Sequence, residues 1–138
     1  MNAKHPVDIA LFFIEKINAH DVAGLYKLMP AGHVFVDSLG NVIHGRKTIC
    51  AGWKGYFAWF PDYEISIKKM FHDGNEIALF GTARGTYCVD GNLLKENKWE
   101  IPAAWRVIVK DGLVTEWQVY ADNSPVLQIM EASKQQFM

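Results

Sequence analysis

Three Asp-Gly pairs, Asp73-Gly74, Asp90-Gly91 and Asp111-Gly112, divide the second half of the chain into four β-prone runs. Asp-Gly between such runs is a strong hairpin signal, because tight turns need positive φ, which Gly adopts freely and Asp tolerates. The spacing predicts a meander of antiparallel strands over residues 64–72, 76–88, 98–110 and 113–120. In the third strand Trp99, Ile101, Ala103, Trp105, Val107 and Val109 alternate, while Glu100, Arg106 and Lys110 take the opposite parity. One face of that strand is therefore expected to be buried and the other polar. Gly81 and Gly85 interrupt the second strand, and glycine inside a strand marks a bend or bulge. A strongly bent sheet has a concave side that must be covered.

The first half supplies the cover. Pro6 suits the first turn of a helix, and Asp8 adds negative charge near its N-terminus. Ala10, Phe13, Ile14 and Ile17 then recur at helical spacing, up to Asn18-Ala19-His20. Asp21 can cap a second helix, 22–29, which Pro30 stops. A strand at 33–37, a turn at 38–41 and a short strand at 42–44 follow. A third helix, 46–60, carries Ile49, Trp53, Tyr56, Phe57 and Phe60 on one face and ends at Pro61. Gly52 and Gly55 weaken that helix by about 1 kcal/mol each relative to Ala. Close packing, or room beside a cavity, would compensate. Pro125 opens a helical tail, 126–134. Helices first and antiparallel strands afterwards define an α+β class. With no linker, repeat or low-complexity segment, residues 1–138 read as a single domain.

Composition narrows the function classes. A chain of 138 residues can bury about two-thirds of its unfolded surface, enough for one core without staples. Half its residues are apolar and five are Trp, which leaves aromatics to line a cavity. The net charge is −1 and no Lys/Arg-rich run occurs, so no nucleic-acid partner is expected. Cys50 and Cys88 are too few and too far apart for a disulfide or zinc framework, which points to reduced thiols in the cytoplasm. The apolar run 9–14 is short and flanked by Asp8, Glu15 and Lys16, so neither a leader nor a membrane partner is expected. The five His lack ligand spacing, so the reading includes no metal and no cofactor.

Asp37 ends the apolar run Val34-Phe35-Val36. Apolar neighbours strip hydration from a carboxylate and raise its pKa, which suits general acid/base chemistry. The same residue also suits the first position of a turn with Ser38, Leu39 and Gly40. His33 shares the strand parity of Phe35 and Asp37, and His44 precedes Gly45 near the expected pocket mouth. Asp122 either faces the pocket or forms a turn or cap before Pro125.

Four segments carry a resemblance. They are Asn18-Ala19-His20-Asp21, Phe35-Val36-Asp37-Ser38-Leu39-Gly40, Ile43-His44-Gly45-Arg46-Lys47-Thr48-Ile49, and Lys110-Asp111-Gly112-Leu113-Val114-Thr115-Glu116-Trp117. In order and spacing the chain resembles the NTF2-like superfamily, and within it the SnoaL-like and ketosteroid-isomerase-like proteins. The resemblance implies a cone of three N-terminal helices on a strongly curved, mostly antiparallel sheet. It also implies a pocket for a small hydrophobic organic ligand and a homodimer formed through the sheet. Asp37 matches the proton-shuttling Asp of the isomerases by segment. Phe13 falls at their helix-one Tyr, and Ala103 or Ala104 at their second Asp, so the matching oxyanion donors are missing unless Tyr26, Tyr56 or a Trp replaces them.

Polyketide cyclases of this type place an acid shortly after a last-strand Trp, and Asp122 follows Trp117 in a similar way. Epoxide hydrolysis of the limonene type would need an Asp two residues from Arg84 or Arg106, and none is there. His72, the best placed for a dehydratase, sits at a strand end beside a turn. The expectation is therefore a cyclase, isomerase or lyase using Asp37 or Asp122, with His33 as a lesser candidate. The alternative is a non-catalytic binding or assembly module. The candidate pocket residues are Phe13, Phe35, His44, Trp53, Tyr56, Tyr87, Ala103, Trp105, Trp117 and Tyr120. The same aromatics could equally be core, where buried Tyr and Trp need a polar partner.

Overall fold

At two of the three Asp-Gly pairs both residues take positive φ: Asp90 51°, Gly91 77°, Asp111 52° and Gly112 75°. Two successive positive φ values are what a type I′ hairpin turn demands. At the first pair only Gly74 is positive, at 59°, and the turn is Gly74-Asn75.

The computed structural model describes residues 5–135. Its order is α1 (Pro6–Asn18), α2 (Val22–Lys27), β1 (Val34–Val36), β2 (Val42–His44), α3 (Arg46–Trp59), β3 (Glu64–Asp73), β4 (Glu76–Val89), β5 (Asn92–Lys110), β6 (Leu113–Ala121) and α4 (Ser124–Gln135). The six strands form one mixed sheet in the order β2-β1-β6-β5-β4-β3. Every neighbouring pair is antiparallel except β1 and β6, which run parallel. Strand β5 begins at Asn92, earlier than the predicted 98. The segment between them lacks apolar alternation, and it is drawn into the ladder by the Asp90-Gly91 turn, through pairs such as Val89 with Asn92.

Curvature has a local cause. The β3–β4 register shifts between Ile67 and Lys69, opposite Gly81. A Cβ on Gly81 would lie 1.8 Å from the Ser66 carbonyl oxygen, so only glycine fits the bulge. Further shifts occur between Thr86 and Cys88 and between Ile108 and Val109.

Helix α1 buries the stripe Ile9, Ala10, Phe13, Ile14 and Ile17. The concave face answers with Ile77, Leu79, Trp105, Val107, Val114 and Trp117, all essentially inaccessible. Each large apolar side chain buried this way contributes about 1.5–3 kcal/mol. The corner after α1 is held by its polar residues. Asn18 accepts from the Ile65 N–H at 2.8 Å and donates to the Ile65 carbonyl at 3.0 Å. His20 stacks on Phe57 with centroids 4.1 Å apart, and its Nε2 lies 2.9 Å from the Tyr63 carbonyl. Asp21 caps α2 by accepting from the Gly24 N–H at 2.9 Å. These contacts fix the segment 63–65 against the helices. None of the described helices is long and apolar enough to cross a membrane.

Candidate functional site

A cavity of about 570 Å³ lies between α3 and the concave face of the sheet. Helix α3 presents Thr48, Ile49, Gly52, Trp53, Tyr56 and Trp59, which recur at three- and four-residue intervals. A Cβ on Gly52 would meet nothing within 4 Å, so this glycine leaves open room at the cavity wall. Strand β5 contributes Trp99, Ile101, Ala103 and Trp105, alternate residues of one face. Strand β6 adds Trp117, Val119 and Ala121, with Asn123 following. Ala103 is paired with Ala121 on one side and Gly81 on the other. This row of small residues deepens the floor between Trp105 and Ile101. Phe35, Asp37, Ser38 and Ile43 close the side nearest β1 and β2. All five Trp of the chain line the cavity.

Asp37 lies at the rim. One carboxylate oxygen accepts from the N–H groups of Leu39 and Asn41, both at 2.9 Å. The other accepts from Asn41 Nδ2 at 3.0 Å. Partial burial pushes the carboxyl pKa up, but these bonds outweigh it and hold the group below the ordinary carboxylate value. The raised pKa expected from the apolar sequence context is thus corrected. The preceding strand is apolar, whereas the carboxylate itself sits in its own polar turn. Asp37 does both things the sequence suggested, since it forms the turn and it lines the cavity.

Asp122 does not line the cavity. It is exposed and accepts from the Ser124 N–H at 2.9 Å and the Ser124 hydroxyl at 2.5 Å, which hold its pKa down. Residues 117, 119 and 121 face inward, so Asn123 returns to the cavity, and Asp122 and Tyr120 point away. Asn123 Nδ2 donates to Ser38 Oγ at 3.0 Å, tying the start of α4 to the Asp37 turn.

His33 is fully buried but away from the cavity lining. Its N–H donates to the Pro30 carbonyl and its carbonyl accepts from Gly45. The bond to Gly45 continues the β1–β2 ladder, and the ring packs against Phe13 of α1 instead of reaching the cavity. Its Nδ1 lies 2.6 Å from the Val114 carbonyl, so this nitrogen carries the proton and donates. Burial pulls the His33 pKa down, against the raising effects of Val114 and Glu116, and the ring is neutral. Phe13 lies outside the cavity lining, 4.9 Å from Trp117 and 6.0 Å from His33. His44 is exposed on β2, and Tyr87 packs on Phe60 at 6.0 Å. Tyr120 is half-exposed on the outer face of the sheet with Phe71 and Phe80.

Trp59, Tyr63, Trp99 and Asn123 line the cavity although sequence reasoning did not single them out. The parity of Ala103 and Trp105 contained the signal for Trp99. Tyr63 follows the helix-ending Pro61 in an irregular stretch, where no periodicity could mark it. It packs edge-on to Tyr56, with ring centroids 4.9 Å apart. Burial pushes the Tyr56 phenol up to about 12 and holds that of Tyr63 well above its ordinary value, so both are neutral. Among the described residues, no three His, Cys, Asp or Glu side chains gather as a metal site.

The model of the SnoaL-like domain matches residues 11–117, and the chain belongs to that family. IdmH from Streptomyces antibioticus, a proposed polyketide cyclase, superposes with a TM-score of 0.77 at 22% identity, over 93% of this chain and 99% of that one. A proposed SnoaL-like polyketide cyclase from Jannaschia sp. CCS1 gives 0.79 at 17% identity, over 92% of each chain. A protein with a ketosteroid-isomerase-like fold from Catenulispora acidiphila, solved with trimethylamine, gives 0.75 at 20% identity, over 91% of this chain and 92% of that one. At such identities the likeness is one of fold. No curated protein matches the sequence.

Proposed function

We propose that this chain, as one domain, binds a flat hydrophobic organic molecule in the cavity and acts on it as a cyclase, isomerase or lyase, with Asp37 as general base. The observation that carries the reading is a cavity of about 570 Å³ walled by all five Trp, with Asp37 as the one carboxylate among the described residues of its lining. That volume falls within the range typical of small-molecule sites, and such sites are apolar with few polar groups. The direction of the Asp37 shift restricts the chemistry. The group is ionised at neutral pH, so it accepts a proton rather than giving one. A weak base suits a C–H already acidified by neighbouring carbonyl groups. Removing a general base typically costs 10²–10⁴-fold in rate. Asp37→Asn is therefore expected to lower turnover of such a substrate at least a hundredfold while leaving its affinity intact. Undiminished turnover would refute the base role.

The non-catalytic binding module is a second reading, favoured by one observation. Among the described residues, the hydrogen bonds to the Asp37 carboxylate come from its own turn, as a purely structural Asp would have it. Under that reading Asp37→Asn changes stability and nothing else.

Phe71, Phe80 and Tyr120 are each about half-exposed on the outer face, and the rings of Phe71 and Phe80 lie 6.0 Å apart. The adjoining charges are internally satisfied, since Arg106 pairs with both Glu76 and Glu116. An apolar patch with neutralised surroundings suits a second copy of the same chain. A homodimer in sedimentation, converted to monomer by Phe80→Glu, is expected. A monomeric wild type would end the proposal. The free thiols of Cys50 and Cys88 support a reducing, cytoplasmic setting.

A further inference from the structure

Among the described residues that line the cavity one is charged, and its charge is negative. It is Asp37, and no Lys, Arg or His joins it there. Its hydrogen bonds come from neutral groups, the N–H of Leu39 and Asn41 and the Asn41 side-chain amide. The ion pairs among the described residues engage Asp21, Glu64, Glu76 and Glu116, not Asp37. The basic residues that follow it in sequence are occupied elsewhere or face solvent. Arg46 lies over the Tyr26 ring at 4.2 Å and donates to the Met29 carbonyl at 3.2 Å, while His44 and Lys47 are exposed. A carboxylate left without a counter-ion beside apolar walls attracts a cation into the enclosure.

The rings at this end of the cavity stand at right angles. Trp53 makes an interplanar angle of 87° with Phe35 and 86° with Tyr56, with centroids 6.2 Å apart in both pairs. Parallel faces would sandwich a flat group, whereas perpendicular ones surround a rounded one. The Trp53 Nε1 is sealed and has no partner among the described residues, so its indole meets the cavity with carbon and not with N–H. Aromatic faces carry the negative side of the ring quadrupole and attract an ammonium within about 6 Å of the ring centre. We propose that the end of the cavity nearest β1 and β2 binds an alkylated ammonium group, with Asp37 as its counter-ion and Phe35, Trp53 and Tyr56 around its alkyl arms. A bare ammonium suits the site less well, because its three N–H donors would give up water in an apolar enclosure. This inference rests on the reading that the cavity takes a ligand, and it names the charge of that ligand. It holds whether or not Asp37 also moves a proton.

The test compares phenyltrimethylammonium with tert-butylbenzene, which share one shape and differ by a cationic nitrogen in place of a carbon. Binding is followed by tryptophan emission. Wild type is expected to bind the cation about fivefold more tightly. Transfer out of water favours the neutral probe, so a preference of this sign reports recognition of the charge. Asp37→Asn and Phe35→Leu should each weaken the cation about threefold and leave tert-butylbenzene unchanged. The first removes the counter-ion, and the second removes an aromatic face while keeping an apolar side chain. A purely structural Asp or Phe would move both probes together. Equal affinities, tighter binding of the neutral probe, or a preference that survives both substitutions overturns the ammonium site while leaving the cavity as a binding site. If neither probe binds, the cavity reading fails and the ammonium site falls with it.

Discussion

The rim and the inner wall of the cavity treat their acidic groups in opposite ways. At the rim, the Asp37 turn surrounds a carboxylate with N–H donors and lowers its pKa. On the inner wall, burial raises both phenols and keeps them neutral. The rim therefore offers a proton acceptor and the wall offers proton donors, and a ligand spanning the two meets both. Local hydrogen bonding decides the first region and desolvation decides the second.

The comparison depends on a sheet bent enough to bring the two regions onto one cavity, and its largest test is Gly81→Val. The new Cβ would collide with the Ser66 carbonyl at 1.8 Å. Overpacking against backbone is expected to cost 3 kcal/mol or more, read by denaturant unfolding. A folded variant with an intact cavity would detach the curvature from the bulge.

Away from the cavity lining, His33 is buried as a neutral imidazole against the Val114 carbonyl and Phe13. Its folded pKa lies below the unfolded value of about 6.5, so the unfolded chain binds the extra proton first. The stability it supports is complete above pH 6.5 and is lost as pH falls from there towards the folded pKa. The melting temperature should drop over that interval, and His33→Gln should flatten the drop. A melting temperature constant from pH 7 to 5 would contradict the neutral, Val114-bonded ring.

At the rim, Asp37→Ala removes the acceptor for Leu39 and Asn41, which is expected to cost about 1 kcal/mol because the turn is solvated. The smallest effect is its pH dependence. The depressed pKa adds stability at neutral pH that fades only as pH falls below the unfolded Asp value of about 3.9. Asp37→Asn should erase that acid-limb slope in a urea titration. Loss of stability already at pH 5 would mean that the carboxyl is raised rather than lowered.

How legible these regions are in the sequence follows from how local they are. The Asp37 turn is written in five consecutive residues, so its existence could be read, but its electrostatics could not. The apolar run before it suggested desolvation, whereas the carboxylate answers to Asn41 four residues on. The meander was legible because Asp-Gly pairs and the alternation along β5 act over a few residues. Gly81 was legible as a bend, while its partner Ser66 on another strand was not. Asp122 was misplaced by one residue: carrying the inward parity of Trp117, Val119 and Ala121 forward reaches Asn123 instead. His33 misses the cavity because its ring packs against Phe13 of α1, a contact that strand parity alone could not show. Tyr63 had no local signal at all. Its place opposite Tyr56 is made by Asn18 and His20, more than forty residues away in sequence.

The central claim is that this cavity holds a ring-bearing molecule, and the five indoles make it directly measurable. A ¹⁵N–¹H titration with 9-fluorenone should shift the indole resonances of Trp53, Trp99, Trp105 and Trp117 saturably, while outer-face residues such as Phe80 stay still. Saturable shifts on the outer face with unmoved indoles would contradict it.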